Sequence, residues 1–204
     1  MTSAKKIGLY FGTFNPIHVG HLTIANYMAE YSDLDEIWMV VTPHNPHKKK
    51  SSLLSNTHRL TMVRIALEDY SKIKASNVEF DLPQPNYTVN TLVHLEENYS
   101  EHQFCLIMGE DNLNSLHKWK NYEVILDRYA IYVYPRITNT SATALKKTKV
   151  ALVTTDHPKV TMVNAPIMEL SSTFIRKAIK EGKNIRPMLP QHVWEYIDEM
   201  SFYK

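Results

Sequence analysis

The feature that most constrains the fold is a short stretch near the start of the chain, GLYFGTFNPIHVGH, from Gly8 to His21. An apolar segment stops at Gly12, a short loop follows, and His18 opens a segment whose apolar residues recur at helical spacing. Three of the five glycines in the chain lie here, the third being Gly20. In a chain so poor in glycine, this clustering indicates a backbone that turns sharply or comes close to a ligand. The stretch therefore predicts a buried strand, a tight loop and a helix start.

A helix that starts in this way is suited to bind phosphate. The first N–H groups of a helix have no partner within it and, with the positive end of the helix dipole, attract anions. His18 and His21 are three residues apart and so share one face of the first turn. A neutral imidazole at that place donates a hydrogen bond without carrying a full charge. We therefore predict a phosphate cradle with two histidine donors aimed into it, and with Gly20 leaving room between them.

Composition predicts one cytoplasmic domain. The chain has 204 residues, of which 44% are hydrophobic, and we expect residues 1–204 to form a single domain around one core. No apolar run is long enough to span a membrane, and we expect no secretory signal. The one cysteine, Cys105, suits a reducing compartment. A formal net charge of +2 argues against nucleic acid as a partner, and we expect no membrane partner either. The sequence leaves open whether copies of the chain form a homo-oligomer.

Buried apolar segments alternate with amphipathic helical segments along the chain. We predict strands over residues 6–11, 36–42, 77–81, 103–108, 128–134 and 159–164, and helices over 19–31, 56–70, 88–99 and 190–200. Because each strand–helix–strand unit implies a right-handed parallel crossover, the predicted fold class is α/β. It is a Rossmann-like parallel sheet of about five or six strands with helices on both faces.

Helix signals in the middle of the chain are weaker but readable. Asn56 or Thr57 is a suitable N-cap for one helix, and Thr88 for the next. Apolar residues at helical spacing give the helix over 56–70 a buried side, and we expect Arg59 and Arg64 to lie off that side.

A second group of residues for binding phosphate follows near the end of the chain, in the stretch LSSTFIR. Ser172 and Thr173 open a helix that Gly182 closes, and Arg176 lies about one turn further on. Hydroxyls, N–H groups at a helix start and a guanidinium together favour a phosphate.

The two stretches resemble those of the nicotinate-nucleotide adenylyltransferases within the nucleotidylyltransferase superfamily. GTFNPIHVGH resembles their GTFxPxHxGH pattern, and LSSTFIR resembles their ISSTxIR pattern with Leu in place of Ile. The resemblance implies transfer of AMP from ATP to nicotinate mononucleotide, with release of pyrophosphate. It implies catalytic roles for His18, His21 and Arg176. The ATP-binding residues it implies are Gly12, Thr13, Phe14, His18, Gly20, His21, Ser172, Thr173 and Arg176.

Two further blocks between them resemble the same family. YTVNTL, at residues 87–92, is similar to its YTxDTL block, although Asn90 replaces the usual Asp. GEDN, at residues 109–112, precedes a tryptophan in the way that the family's GxDn block does. The mononucleotide-binding residues that the resemblance implies are Asn45, His47, Lys48, Tyr87, Thr88, Asp111 and Trp119. The implied cofactor is Mg²⁺ carried by ATP, and no protein ligand to a metal is predicted. His44 and His47 would be a poor metal pair, since no carboxylate or thiolate accompanies them.

Three other functional classes remain open at this stage. The same chemistry could act on another phosphorylated acceptor, of which nicotinamide mononucleotide is the hardest to separate, because it differs only in having an amide for the carboxylate. Aminoacyl-tRNA synthetases share a HIGH motif, but this chain lacks their KMSKS-like loop. A non-catalytic nucleotide sensor would be expected to lose one of His18, His21 and Arg176, and all three are present.

Overall fold

The protein is described by a computed structural model that covers residues 4–43, 53–136 and 156–204. Its centre is a six-stranded sheet in which every pair of neighbours is parallel, in the order β3-β2-β1-β4-β5-β6. The strands are β1 (Lys6–Gly12), β2 (Glu36–Val41), β3 (Ile73–Ser76), β4 (Gln103–Gly109), β5 (Ile131–Tyr134) and β6 (Val160–Met162). The helices are α1 (Val19–Tyr31), α2 (Asn56–Ala66), α3 (Thr88–Asn98), α4 (Glu110–Ser115), α5 (Tyr122–Arg128), α6 (Ser172–Lys180) and α7 (Gln191–Glu199).

The strand order places a topological switch point at the middle of the sheet. β1 pairs with β2 on one side and with β4 on the other. From β2 the chain continues to β3 at one edge of the sheet, and from β4 it continues through β5 to β6 at the other edge. The register brings Gly12 level with Val41, and Gly109 level with Tyr134. The carboxyl ends of four strands therefore meet at one edge of the sheet, which is where open parallel sheets bind ligands.

Helices cover both faces of this sheet, as predicted. Because successive strand residues point to opposite faces, Met39 belongs to one buried cluster and Val40 to the other. Met28 of α1 packs into the first cluster and Leu92 of α3 into the second, and both are fully buried. The α/β class and the helices on both faces are confirmed. Within the described ranges, no helix is long and apolar enough to cross a membrane.

Element boundaries differ from the prediction where turns compete with regular structure. The third strand is Ile73–Ser76 and not 77–81, because the chain after Ser76 turns back with a bond from the Phe80 N–H to the Asn77 carbonyl. α2 is capped by the Ser55 hydroxyl, which accepts from the His58 N–H, and not by Asn56 or Thr57. α3 begins with Thr88 inside the helix and Tyr87 at the cap position, so the prediction that Thr88 caps it is wrong.

The largest correction concerns one side chain of α2. Arg59 was expected off the buried side of this helix, but it is fully buried. Five hydrogen bonds from its guanidinium make that burial tolerable, because each polar hydrogen that leaves water gains an acceptor within the protein. A pattern of apolar positions does not signal such a residue. Arg64, by contrast, is exposed as predicted.

Candidate active site

The candidate site is built on the loop that leaves β1 for α1. Phe14 in this loop is 1% exposed and has a φ of 43°, a left-handed conformation that costs free energy for a residue with a side chain. Its ring lies against Gly12, where an added Cβ would be 2.7 Å from the ring carbons. The glycine that ends β1 is therefore required because the loop folds back over the end of the strand.

The two signature histidines lie side by side at the start of α1. His18 occupies the N-cap position and is 3% exposed, and its ring stacks on that of His21 with centroids 3.7 Å apart. The backbone N–H of His18 donates to Nδ1 of His21 at 3.3 Å, which leaves the proton of a neutral His21 ring on Nε2. The edges of Phe14 and Tyr10 approach the His21 ring, with centroids 5.1 and 6.2 Å away. The predicted pair is thus held in one orientation by stacking and by the backbone.

Burial keeps His18 neutral. Desolvation is the main cause that lowers the pKa of His18 to about 4, and the positive charge of Arg136 acts in the same direction. Gly20 lies against the same ring, since a Cβ there would be 3.0 Å from Nδ1 of His18. At neutral pH this imidazole is a hydrogen-bond donor and not a cation.

The carbonyl groups of the loop are held by donors from elsewhere in the protein. The Thr13 carbonyl accepts from Arg59 Nη1 at 2.6 Å, and the Asn15 carbonyl from Arg176 Nη1 at 2.7 Å. The Pro16 carbonyl accepts from the Ser172 hydroxyl at 2.9 Å. Because these carbonyls have donors within the protein, the loop is held in one conformation beside the helix start, as an anion site needs.

The second predicted phosphate-binding stretch lies against the same loop. α6 begins at Ser172 with Ser171 as its cap, and Arg176 lies half-buried one turn later. Arg176 also donates from Nη2 to the Thr173 hydroxyl at 3.3 Å. The fold thus brings Ser172 and Arg176 into contact with the stretch that holds His18 and His21, although more than 150 residues separate them in sequence.

A buried polar cluster supports the start of α3. Glu79 is 2% exposed, and its Oε1 accepts from the hydroxyl of Thr91, which is fully buried, at 2.8 Å. Asn86 donates from Nδ2 to the Glu79 carbonyl at 3.1 Å. Burial raises the pKa of the Glu79 carboxyl, and the bond from Thr91 partly offsets that rise. These contacts fix the chain just before the helix start at Tyr87 and Thr88.

The end of β4 presents a carboxylate paired with a cation. Asp111 Oδ2 lies 3.2 Å from Arg136 Nη1, at the end of the neighbouring strand β5. An added Cβ at Gly109 would lie 2.5 Å from Asp111 Oδ1, so a larger residue here would displace that carboxylate. Tyr134 links this group to β1, since its hydroxyl is 3.3 Å from that of Tyr10 near the end of that strand. The predicted residue Asp111 is therefore at the same edge of the sheet as the histidines.

Trp119 lies near the start of α3. It is half-buried, and both it and Tyr87 pack against the same apolar cluster under the sheet. Lys120 places its ammonium 4.5 Å from the centroid of the Tyr87 ring. The fold therefore brings the YTVNTL and GEDN–Trp blocks together. The other predicted mononucleotide residues, Asn45, His47 and Lys48, lie outside the described residues, as does His44.

The donor set fits a metal that is carried by phosphate. Among the residues of the described ranges there is no group of three or more His, Cys, Asp or Glu side chains that could hold a metal ion. Asp111 is a single carboxylate, already paired with Arg136. A Mg²⁺ ion usually keeps several waters and binds through substrate phosphates and one or two carboxylates, so these residues suit that arrangement.

Sequence reasoning missed three side chains of the site. Arg59 reaches the first loop from α2, Arg136 pairs with Asp111, and Tyr203 donates its hydroxyl to Asn15 Oδ1 at 2.7 Å. Arg136 had one readable signal, because it follows a buried strand at the edge where ligands bind. Arg59 and Tyr203 act through contacts between distant elements, which a local pattern does not encode.

Comparison with known proteins places this geometry in a family. A family model described as cytidylyltransferase-like matches residues 9–178. A protein of Christiangramia forsetii named probable nicotinate-nucleotide adenylyltransferase is 66% identical over 200 residues, which is 98% of this chain and 99% of that protein. A Bacteroides fragilis protein of the same name is 42% identical over 196 residues, which is 96% of this chain and 92% of that protein.

Solved structures agree on the fold. The nicotinic acid mononucleotide adenylyltransferase of Plasmodium falciparum, complexed with NaAD, aligns with a TM-score of 0.78 over 98% of this chain and 97% of that one. The same enzyme complexed with APC aligns with a TM-score of 0.76. Because the sequences are only 21% identical, this likeness establishes a shared architecture.

Proposed function

The chain belongs to the cytidylyltransferase-like family and, within it, to the nicotinate-nucleotide adenylyltransferases, and from this premise we propose that it adenylylates nicotinate mononucleotide. The reaction transfers AMP from ATP to the mononucleotide, which gives nicotinate adenine dinucleotide and pyrophosphate, a step of NAD biosynthesis. Its substrates are small molecules. We also propose that the chain forms one domain and works in the cytoplasm.

One observation carries the proposal. Two helix starts that are distant in sequence, α1 with His18 and His21 and α6 with Arg176, converge on a single loop at the carboxyl edge of a parallel sheet. Helix starts, imidazole donors and a guanidinium are together suited to a chain of phosphates. The consecutive phosphates of one ATP molecule would contact both helix starts.

The chemistry needs no nucleophile from the protein. The phosphate oxygen of the mononucleotide attacks the α-phosphorus of ATP, a P–O bond to the mononucleotide forms, and the bond from the α-phosphorus to the bridging oxygen breaks. Pyrophosphate leaves with that oxygen. Catalysis is then positioning of the two phosphates and stabilisation of the negative charge that builds on the α-phosphoryl oxygens.

Individual side chains take distinct parts in that scheme. We assign His18 and His21 to the phosphates of ATP and to the developing charge, which neutral donors held in a fixed orientation stabilise without prior reorganisation. Arg176 and Thr173 would bind the β and γ groups. The backbone close to the ATP phosphates would be that of Gly12, Thr13, Phe14 and Gly20. Ser172 would hold this loop in place and lie next to the phosphates. The low pKa of His18 supports its part, because the ring stays neutral at the pH of the cytoplasm.

The mononucleotide would lie across the adjacent strands. Backbone N–H groups at the start of α3, at Tyr87 and Thr88, would receive the pyridine carboxylate, and the Trp119 ring would stack on the pyridine. Asp111 would accept from a ribose hydroxyl. Asn45, His47 and Lys48 keep the roles near its phosphate that the resemblance implies.

Nucleotidyltransferases of this kind use a divalent metal with ATP, and we propose Mg²⁺. Bound to the phosphates of ATP, it would neutralise the pyrophosphate as negative charge moves onto it. The donors that the protein would contribute to the same phosphates are His18, His21 and Arg176.

The test follows the α-phosphorus. ATP labelled at the α-phosphate should pass its label into a dinucleotide product when nicotinate mononucleotide is present, and ATP labelled at the γ-phosphate should give labelled pyrophosphate. Both should stop when EDTA removes divalent cations and return with added Mg²⁺. Label that stays in AMP, or release of single phosphate, would contradict adenylyl transfer.

A further inference from the structure

Arg59 is a buried cation, and four of its five acceptors are backbone carbonyls of the loop after β1 and of the described ends of the β2–α2 connection. From α2 it donates through Nη1 to the carbonyls of Thr13 at 2.6 Å and Thr42 at 2.8 Å. Through Nη2 it donates to the carbonyl of Pro43 at 3.2 Å and to Asn56 Oδ1 at 2.6 Å. Nε donates to the carbonyl of Leu54 at 3.0 Å. None of these acceptors is a carboxylate, so the charge is balanced by the dipoles of four carbonyls and one amide.

Such a residue is costly and therefore informative. A guanidinium that is fully buried loses its hydration, and burial lowers the pKa of Arg59 to about 10, which still leaves it charged near neutral pH. A leucine or methionine would occupy much of the same space without that cost, because well-packed apolar side chains often replace buried ions with no loss of stability. The contacts that only a guanidinium can make explain its presence better than packing does.

The bond to Thr13 sets the direction of a peptide group in the phosphate loop. The Thr13–Phe14 peptide is trans, since the cis bonds of the described chain are at Asn15–Pro16 and Gln84–Pro85. In a trans peptide the carbonyl and the N–H point in opposite directions. With its carbonyl drawn to Arg59, this peptide turns the Phe14 N–H away from α2. Phe14 has the left-handed φ of the loop, a conformation that needs support from its surroundings.

The other bonds tie the end of β2 to the same point. Thr42 accepts from Arg59 at its carbonyl and donates its N–H to the Gly12 carbonyl at 2.9 Å. The N–H of Leu54 donates to Asn15 Oδ1 at 3.3 Å. One guanidinium thus fixes the relative position of the loop after β1 and of the two described ends of the β2–α2 connection.

We propose that Arg59 is a positioning residue for the nucleotide phosphates, which orients the Thr13–Phe14 peptide and locks the loop after β1 against the end of β2. This inference rests on the proposed function, because it assigns Arg59 a task in binding the ATP of that reaction. Arg59 itself touches no substrate and acts through the loop. The alternative is a purely structural role, in which Arg59 only stabilises α2.

The experiment compares Arg59→Lys with Met62→Ala. Lysine keeps the charge and can reach some of the carbonyls, but it lacks the fork that binds Thr13 and Thr42 through one nitrogen and Pro43 and Asn56 through the other. Met62 is fully buried on the same helix, so its truncation weakens the packing of α2 without removing a hydrogen bond to the loops. Thermal unfolding, the Kd for ATP by calorimetry, and kcat and KM for both substrates are measured for each.

We expect Arg59→Lys to raise the Kd and KM for ATP by about tenfold and to lower kcat, as misplacing a phosphate contact does. Met62→Ala should unfold at a lower temperature and keep the Kd and KM for ATP of the parent. If Arg59→Lys changes only the unfolding temperature, the positioning role is overturned. Should it fail to fold, Asn56→Ala, which removes one anchor of the guanidinium, decides: a KM for ATP raised by at least about twofold supports the role, and an unchanged KM overturns it.

The two proposals fail in different ways. Calorimetry with ATP alone needs no second substrate, so it tests the positioning role of Arg59 even if the protein does not use nicotinate mononucleotide. A parent protein that binds ATP but forms no dinucleotide would count against the proposed function and leave the assignment of Arg59 to be decided by the Kd.

Discussion

The site has two halves that differ in how their polar groups are satisfied. In the phosphate half, around the loop from Gly12 to His21, the carbonyls of Thr13, Asn15 and Pro16 each accept a bond from a side chain of another element. In the mononucleotide half, around the start of α3 and the end of β4, three buried oxygens have no hydrogen-bond partner among the described residues. They are Glu79 Oε2, Asn86 Oδ1 and Asp111 Oδ1, whereas the corresponding buried atom of the phosphate half is one ring nitrogen, His18 Nδ1.

The two halves therefore differ in how far they are arranged before a substrate binds. The phosphate half is arranged before any substrate binds, as stabilisation of a charged transition state requires. The mononucleotide half holds its helix start through Glu79 and Thr91 but leaves acceptor oxygens without a partner, as suits a site that the ribose hydroxyls of a nucleotide complete. Loss of a phosphate-half group should therefore reduce kcat, and loss of a mononucleotide-half group should raise one KM.

The largest effect is expected for His21→Ala. Losing one donor held in place for the developing charge should lower kcat by about 10²–10³-fold, with both KM values close to those of the parent. Initial rates of pyrophosphate release measure it. His192→Ala is the matched control, since His192 is exposed on α7 and pairs with Glu195. A near-normal kcat in folded His21→Ala would show that His21 does not stabilise the developing charge.

The halves should also respond to pH with opposite signs. His18 has a folded pKa of about 4, below its ordinary 6.5, so the stability tied to its neutral form is present above 6.5 and is lost as the pH falls towards 4. That loss should reach roughly 3 kcal/mol of unfolding free energy. Glu79 has a raised pKa, so its contribution is present below 4.5 and is lost as the pH rises through the folded pKa.

Urea unfolding between pH 4 and 7 separates the two groups. His18→Asn should flatten the loss of stability on the acid side, and Glu79→Gln should flatten the loss on the other side. If either variant keeps the parent's pH profile, the group concerned is not the one that titrates, and the contrast between the halves fails for that group.

A smaller effect is expected for Trp119→Ala. Losing a stacking contact with a flat ring should weaken binding of the mononucleotide by about 1–3 kcal/mol, while the KM for ATP stays the same. Trp194→Ala provides the control, because Trp194 packs against the core from α7. An unchanged KM for the mononucleotide in Trp119→Ala would show that the Trp119 ring does not stack on the pyridine.

The smallest effect comes from a pair of neighbours, Ser172 and Ser171. Ser172→Ala removes the bond to the Pro16 carbonyl and should lower kcat/KM for ATP. The expected decrease corresponds to a loss of about 0.5–1.5 kcal/mol of transition-state stabilisation. Ser171→Ala removes the cap of α6, which accepts from the Phe174 N–H, and should cost about 1 kcal/mol of stability. Equal kinetic losses in the two variants would show that α6 matters as a whole and that the loop contact does not.

The sequence allowed prediction of the elements that local chemistry determines. The range of α1, the strand that ends at the GEDN block and the helix that starts at Ser172 were all readable, because apolar period and glycine placement are local signals. The resemblance implied that Ser172 and Arg176 bind the same ATP as the first stretch, and it did not predict their contacts with the Asn15–Pro16 backbone. The contact itself depends on how α6 crosses the end of the sheet.

Long-range polar contacts were beyond prediction. Arg59 lies on a helix whose apolar residues already account for its buried side, so a buried arginine there contradicts the pattern. Its five acceptors come from residues 13, 42, 43, 54 and 56, which no spacing rule connects. The third strand was misplaced for a similar reason, because pairing with β2 selects Ile73–Ser76 over the apolar residues that follow.

The most direct test of the proposed reaction is pyrophosphate release with ATP and Mg²⁺, with nicotinate mononucleotide and nicotinamide mononucleotide compared in parallel. We predict rapid release with the acid and a much lower kcat/KM with the amide, since N–H groups at the start of α3 favour a carboxylate. Equal use of the two would contradict the role of the α3 start. No release with either would contradict the proposed reaction itself.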